Sequence, residues 1–543
     1  MKQLSHNGVM VPRYEPKGFH ILLRGKKIVL TPKQEEMAVA WVKKLGTDYV
    51  KDGVFARNFF DDFGDALGLK ERISPGDIDF SEIIKSVEKE RNEKLNMSKE
   101  ERKRLAQERK TIREANKEKY GYAVMDGERV EVTNYVVEPG SIFMGRGKHP
   151  LRGKWKEGAK ESDVILNMSP SSVPEGKWKK IIWEPSFLWT AKWDDKLRKK
   201  EKYVWLADTS KVKQEREKEK FDKARELEKE YGKVKKHIVD NLASQDLKRR
   251  KIATVCYLID ALSMRVGDEK DEDEADTVGA TTLTKRNVII KENNLVKFDF
   301  LGKDSVRWEK EIVLPEQVVK NLKDFISNSE SEIFRGVRSA NVKLFLNEII
   351  KGLTAKVFRT FHASKATEDY FKKTDVKENE SDEYKKYLAT MANLEATIVS
   401  NHKRTLPKNW DHTLQKNIDH LKLAKERIAD KRIDSIKKME ARIKKLEEMK
   451  QTESRKLKLD DYRNKLRILN SRQMTEKEEL YIRKLELKIE TMKKTKYYNL
   501  TTSLNSYIDP RIYLKWSKKV DYDWKKYYPK KLQRKFSWIE DKK

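Results

Sequence analysis

Hydrophobic and polar positions change their period several times along the chain, and each change predicts an element. Phe19–Leu23 and Lys27–Leu30 flank Arg24-Gly25-Lys26, the pattern of a β-hairpin, and Pro32 then opens a helix through Leu45. From about Ser81 to Tyr120 the chain is charged and helical, with a capping box at Ser98…Glu101. Tyr122–Val137 alternates around Asp126-Gly127, a second hairpin. From Trp178 to Trp205 lysines interleave with aromatics that include Trp183, Trp189 and Trp193. Such interleaving suits base stacking, but aromatics are chiefly core formers, so a strand core with basic edges is the favoured reading. Helical periodicity runs from Lys213 to Asn241 and from Asp246 to Met264. The segment Arg286–Leu314 is strand-rich, with Val296-Lys297-Phe298-Asp299-Phe300 alternating into the turn Leu301-Gly302-Lys303-Asp304, and Pro315 to Phe371 is helical again.

Beyond Pro407 the period settles at three- and four-residue steps: Leu414, Ile418, Leu421, Ile428, then Ile436, Met439, Ile443, Leu446. A second run holds Leu480, Leu485 and Met492 behind a capping box at Thr475…Glu478, and neither proline nor glycine occurs from 408 to 509. Two antiparallel helices joined within 450–474 are expected, forming a coiled-coil hairpin. The apolar repeat is broken too often for a long parallel dimer.

Composition narrows the partner. The 543 residues carry 121 Lys+Arg against 89 Asp+Glu, a net charge of +32, together with 12 Trp, 18 Phe and 20 Tyr. That aromatic content demands burial, so the chain is folded, and the basic excess points to a polyanion, with DNA or RNA first. An anionic membrane surface would need helices with a strong apolar face, and most helices here are charged all round. The single cysteine, Cys256, lies in the apolar run Ile252–Leu262 and reads as a buried small hydrophobe, which excludes a disulfide framework and a cysteine-rich zinc site. No stretch is apolar enough to span a bilayer and the first residues lack a signal core, so an intracellular, soluble protein is expected.

Gly145-Arg146-Gly147-Lys148-His149-Pro150 suggests a nucleotide loop, but the spacing to Gly153-Lys154 is one residue too long, and Trp155 stands where a Ser or Thr would hold magnesium. The acidic run Asp268–Glu274 lacks the glycine and spacing of an EF-hand and reads as a solvated loop. Near the C-terminus, Leu504-Asn505-Ser506-Tyr507-Ile508-Asp509-Pro510-Arg511 presents a tyrosine whose hydroxyl is able to attack a phosphodiester and hold the phosphoryl group as an ester. That transfer needs positive donors on the non-bridging oxygens and a proton for the leaving oxygen. Four stretches offer them: Arg265 at a helix end before Gly267, Lys303 in a tight turn, Lys356 and Arg359 one turn apart on a helix, and His402 in Asn401-His402-Lys403. Each taken singly also reads as an ordinary helix-end, turn or surface group.

In this order the stretches resemble the type IB DNA topoisomerases of the eukaryotic topoisomerase I kind, over nearly the whole chain. Tyr14-Glu15-Pro16, Arg57-Asn58-Phe59-Phe60 and Gly145-Arg146-Gly147 are similar to the family's DNA-binding half. Leu262–Gly267 with Ala275-Asp276-Thr277-Val278-Gly279, Phe298–Ser305, Gly352–Thr360, Asn401-His402 and Tyr507–Arg511 complete the set. The resemblance implies Tyr507 as nucleophile, keeping the 3′-phosphoryl end. Arg265, Arg359 and His402 would hold the non-bridging oxygens, and Lys303 would protonate the departing 5′-oxygen from the minor groove. DNA contacts are expected at Arg146, Lys148, Lys211, Lys213, Lys303, Asp304, Lys356 and Asn505. No ATP, cofactor or metal is implied. Two departures stand out: Ser506 precedes the tyrosine where the family commonly has Asn, and Lys156-Glu157-Gly158 replaces a basic pair, both where intercalating poisons bind in the family.

The implied fold is α+β, a multidomain DNA clamp. Residues 1–210 would form the cap and DNA-binding core, a mixed α/β assembly, and 211–404 a mainly α catalytic core resembling tyrosine recombinases. The antiparallel coiled-coil linker would take 405–495 and the domain with the nucleophilic tyrosine 496–543. The expected partner is double-stranded DNA enclosed by a monomer, with no membrane. The expected location is the cytoplasm at the chromosome, or the nucleus if the source is a eukaryote. A tetrameric site-specific recombinase and a non-catalytic architectural protein are the rival readings.

Overall fold

Two residues in the left-handed region, Arg24 (φ 47°) and Gly25 (φ 83°), close the first hairpin between strands His20–Leu23 and Lys26–Val29. This computed structural model describes residues 1–543 apart from 146–148, 171–172, 269–276, 303–305, 378, 450–451, 472–473 and 541–543. The chain divides into two units: residues 1–218 with 270–277 and 301–305, and the remainder.

In the first unit, Thr31 and Gln34 form a capping box that starts the helix Pro32–Val42, which ends short of Leu45. Its Trp41 stacks on Phe59 at 4.7 Å and meets Phe60 edge-on at 4.8 Å, in a core shared with Phe55 and Phe63 of the helix Gly53–Ala66. The buried Glu35 carboxylate accepts from the Tyr14 hydroxyl and from the amides of Lys17, Gly18 and Phe19. The capping box at Ser98 and Glu101 opens the helix Lys99–Tyr120, which buries no residue and follows the helix Ser81–Asn96. Asp126 (φ 50°) and Gly127 (φ 85°) turn the second hairpin, Tyr122–Met125 with Glu128–Glu131. A four-stranded sheet runs in the order Lys180–Ile182, Ile165–Asn167, Trp189–Asp195, Lys200–Trp205 and buries Trp189 and Trp193, the strand-core role favoured from sequence.

The second unit is mainly helical. Asp246 caps the helix Leu247–Leu262, whose inner face carries Cys256, Leu258 and Ile259 into a core with Phe298, Leu322, Phe334 and Phe358. Burial pushes the Cys256 thiol far up from its ordinary pKa. The helices Ala355–Lys373 and Asp382–Val399 pack together. A C-terminal aromatic cluster closes over them, with Phe371 stacked on Trp516 at 4.4 Å and Tyr513, Tyr528 and Phe536 fully buried.

The helix Trp410–Glu447 has 38 residues, about 57 Å at 1.5 Å per residue. The chain returns along it in two helices, Glu453–Ser471 and Glu476–Lys494, rather than the single return arm expected, and Thr475 with Glu478 caps the second. Ala424, Ile482 and Leu485 form the seam, and Arg463–Glu447 (2.7 Å) and Lys425–Glu486 (2.8 Å) cross it. Near its end the return arm is held by the Tyr387 hydroxyl, which donates to Glu490 at 2.6 Å. Among the described residues, no helix is long and apolar enough to cross a membrane.

Candidate active site

Ser263, in the left-handed region at φ 52°, stops the helix Leu247–Leu262 and turns the chain so that Arg265 follows two residues later. The Arg265 backbone is fixed by a close approach of two glycines. A Cβ on Gly279 would lie 2.4 Å from Gly267 Cα and 2.8 Å from the Arg265 carbonyl oxygen, so neither glycine tolerates a side chain. The Ala280 amide donates to that same carbonyl at 2.8 Å, and the Thr281 amide to Val266 at 2.7 Å.

Arg359 lies in the second turn of the helix Ala355–Lys373, too near its start to act as a C-terminal helix charge, and is buried. Its Nη1 donates to the Ser263 carbonyl at 2.5 Å, and its Nη2 to the Ser400 carbonyl at 2.8 Å and to His402 Nε2 at 3.1 Å. These acceptors hold the guanidinium plane without neutralising it. Among the described residues, neither Arg265 nor Arg359 forms an ion pair with a carboxylate, which leaves two positive charges facing one spot.

Tyr507 occupies that spot. Its ring centroid is 5.2 Å from the Arg359 guanidinium carbon and 5.1 Å from the His402 ring, tilted by 41°. Burial pushes the phenol pKa up, but the charges of Arg359 and Arg265 and their hydrogen bonds to it prevail, and the net direction is down. A phenol that ionises more readily is a better nucleophile. The same surroundings push His402 down to about 3, through burial first and then the two arginines, so the imidazole is neutral at physiological pH. Arg359 is lowered to about 10, by burial first, with Arg265 acting in the same direction and Tyr507 against it, and it keeps its charge.

The tyrosine backbone is anchored on both sides. It follows the short helix Leu500–Ser506, and its amide donates to the Ser503 carbonyl at 2.9 Å. Ser364, on the Arg359 helix, donates to the Tyr507 carbonyl at 3.2 Å and accepts from the Asp509 amide at 3.0 Å. Lys220, in the helix Lys211–Asn241, reaches the Ser506 carbonyl at 2.9 Å. The buried Lys535 donates to the Asn505 carbonyl at 2.8 Å and to its Oδ1 at 3.2 Å. Asp509 caps the helix Pro510–Lys519 and accepts from Arg225 at 2.8 Å and from Arg511, which also reaches Asp222 at 2.6 Å.

Of the expected catalytic residues, Arg265, Arg359, His402 and Tyr507 converge, while Lys303 lies outside the described residues. Arg146, Lys148 and Asp304 also lie outside them. Lys356 is exposed one turn before Arg359, and Asn505 is half-buried beside the tyrosine with its Nδ2 donating to Ser506 Oγ at 3.2 Å. In the first unit, Lys211 pairs with Glu128, and Lys213 lies 3.4 Å from Asp208. Lys220, Arg225, Ser364 and Lys535 escaped the sequence reading, because each acts across a separation that leaves no periodic mark. No group of three His, Cys, Asp or Glu side chains among the described residues is arranged to hold a metal ion.

Comparison with known proteins bears on this geometry. Residues 1–206 match the family described as eukaryotic DNA topoisomerase I, DNA binding fragment, residues 209–435 its catalytic core, and residues 479–543 a C-terminal topoisomerase domain. DNA topoisomerase 1 beta of Arabidopsis thaliana is 35% identical over 551 residues, covering 99% of this chain and 58% of the plant protein. DNA topoisomerase 1 of Homo sapiens is 30% identical over 560 residues, covering 99% of this chain and 71% of the human protein. The Candidozyma auris protein of the same name is 37% identical over 420 residues, covering 74% of this chain and 55% of its own. The chain thus spans little more than half the length of the plant relative. Matched along almost its entire length, it belongs to the eukaryotic DNA topoisomerase I family.

Proposed function

We propose that the chain relaxes supercoiled duplex DNA as a type IB topoisomerase. The observation that carries this reading is the convergence on a tyrosine with a lowered pKa of a neutral histidine and two arginines that have no carboxylate partner among the described residues. In the reaction, the Tyr507 oxygen forms a bond to one DNA phosphorus as the bond to the 5′-oxygen breaks, and the phenol proton passes to water. Arg265, Arg359 and His402 hold the non-bridging oxygens, where charge builds up. Lys303 supplies the proton that the leaving 5′-oxygen takes up. The free end then rotates, and the 5′-hydroxyl attacks the 3′-phosphotyrosyl ester to restore the strand. The ester conserves the bond energy and supercoiling drives the rotation, so neither ATP nor an obligatory metal enters the scheme.

The family membership and the basic excess of the chain support double-stranded DNA as the partner, bound mainly through phosphates and therefore salt-sensitive. In this reading the protein is a chromosome-associated monomer clamped on the duplex. Residues 1–210 serve as cap and DNA-binding core, 211–404 as a catalytic core of the tyrosine-recombinase kind, 405–495 as a coiled-coil linker and 496–543 as the nucleophile domain. Arg146, Lys148, Lys211, Lys213, Asp304, Lys356 and Asn505 are its DNA contacts beside Lys303.

The test is plasmid relaxation in EDTA without ATP, wild type against Tyr507→Phe, with a denaturant quench to trap covalent adducts. Relaxation and an adduct with the wild type, and neither with the variant, are expected. Relaxation that persists in Tyr507→Phe would remove Tyr507 as nucleophile.

A further inference from the structure

The side chains behind His402 have no part in the scheme above, yet they form an ordered chain. His402 Nδ1 lies 2.7 Å from Ser503 Oγ, Ser503 Oγ 2.9 Å from Thr397 Oγ1, and Thr397 Oγ1 2.8 Å from the Asn393 carbonyl oxygen. Ser503 and Thr397 have no solvent exposure at all. An arginine has no acceptor, so Arg359 Nη2 donates to His402 Nε2 and the imidazole proton sits on Nδ1. One direction then satisfies every group with one proton per hydroxyl. Nδ1–H donates to Ser503, Ser503 to Thr397, and Thr397 to the Asn393 carbonyl.

We propose that Ser503 and Thr397 are positioning residues for His402, forming a two-hydroxyl relay that holds the ring with Nε2 facing Arg359 and Tyr507. The role rests on the reading of Tyr507 as nucleophile and His402 as a ligand of the phosphoryl oxygens. A hydroxyl both donates and accepts, which a carbonyl or carboxylate in the same place does not. The relay therefore serves the neutral imidazole with its proton on either nitrogen. With the proton on Nδ1, Nε2 accepts from Arg359, as in the arrangement described here. With the proton on Nε2, that nitrogen donates to a phosphoryl oxygen, and two hydroxyl rotations reverse the chain so that Thr397 donates to Ser503 and Ser503 to Nδ1. The site thus keeps one ring orientation with and without a phosphodiester, and the buried Nδ1 has a partner in both states.

Two measurements test this. In the 15N spectrum of the free protein, His402 of the wild type is expected in the Nδ1–H form, and both Ser503→Ala and Thr397→Val shift its tautomer ratio or broaden its signals. Unchanged His402 signals in both variants would overturn the relay whatever the activity. In single-turnover cleavage, Ser503→Ala and Thr397→Val slow the step by about 10-fold, the lower end of losses seen when an orienting partner is removed. DNA affinity is unchanged and Thr397→Ser restores the rate. In a His402→Gln background, Ser503→Ala costs nothing further. An equal loss with and without His402 would mean that Ser503 acts elsewhere, and would refute the proposal. Should Ser503→Ala fail to fold, the isosteric Thr397→Val supplies both measurements. If Tyr507 is not the nucleophile, Tyr507→Phe still cleaves, while the spectra of the free protein continue to report on the relay alone.

Discussion

Lowering the pH from 7 to 5 probes the burial of His402 together with the field of the two arginines around it. The ring is 9% exposed, faces Arg359, Arg265 and Tyr507, and has its pKa pushed from near 6.5 down to about 3 by burial and then by the arginines. The folded value lies below the unfolded one, so in this window the unfolded chain binds the proton and the folded chain does not. Stability from this group is complete above about pH 6.5 and is lost progressively as the pH falls towards 3. Each pH unit within that window costs about 1.4 kcal/mol, which makes about 2 kcal/mol between pH 7 and pH 5. Other histidines and carboxylates titrate in the same range, so the quantity to read is the difference between wild type and His402→Gln, whose amide does not titrate. Urea unfolding followed by circular dichroism at several pH values should show the wild type losing about 2 kcal/mol more than the variant. Above pH 7 the two curves run parallel. Curves that stayed parallel down to pH 5 would mean that His402 protonates as freely in the folded state as in the unfolded one, and the reasoning about burial and the arginine field would fall.

Substitutions at Asp509 and Gly279 test the anchor of the tyrosine turn and the support of Arg265 in turn. Asp509→Ala removes a helix cap and the carboxylate shared by Arg225 and Arg511. Because Arg511 keeps Asp222, the expected cost is about 3 kcal/mol, read as faster hydrogen exchange across Tyr507–Lys519, and Asp509→Asn, which retains the cap, should cost about 1 kcal/mol less. Gly279→Ala drives a methyl group into the backbone of Gly267 and Arg265, so DNA cleavage should fall by more than 10-fold while stability drops by about 1–3 kcal/mol. Cleavage at the wild-type rate would show that Arg265 does not depend on that close approach.

Local chemistry made much of the fold legible in the sequence. Arg24-Gly25 and Asp126-Gly127 adopt the positive φ angles that tight hairpins require, and Ser98 and Thr475 cap their helices through a glutamate three residues on. The four converging site residues were legible only as an ordered set, since Arg265 alone is indistinguishable from a helix-end charge. Less was visible where contacts join distant segments. Ser364 meets the tyrosine turn across 143 residues, and Thr397 meets Ser503 across 106, with neither period nor composition to announce it. The helix Glu453–Ser471 also escaped, because it lies within the stretch 450–474 read as the joint, while the capping box at Thr475 did mark the start of the next helix.

The buried thiol of Cys256 has a practical consequence. The one cysteine in the chain is sealed in the core, with its pKa raised by burial, so thiol reagents find no native target in the folded protein. A cysteine introduced at Leu457, 70% exposed on the first helix of the return arm, would be the sole attachment point for a dye. The native sequence is therefore already a labelling background, in which the helical hairpin is open to single-molecule fluorescence without removing any residue first.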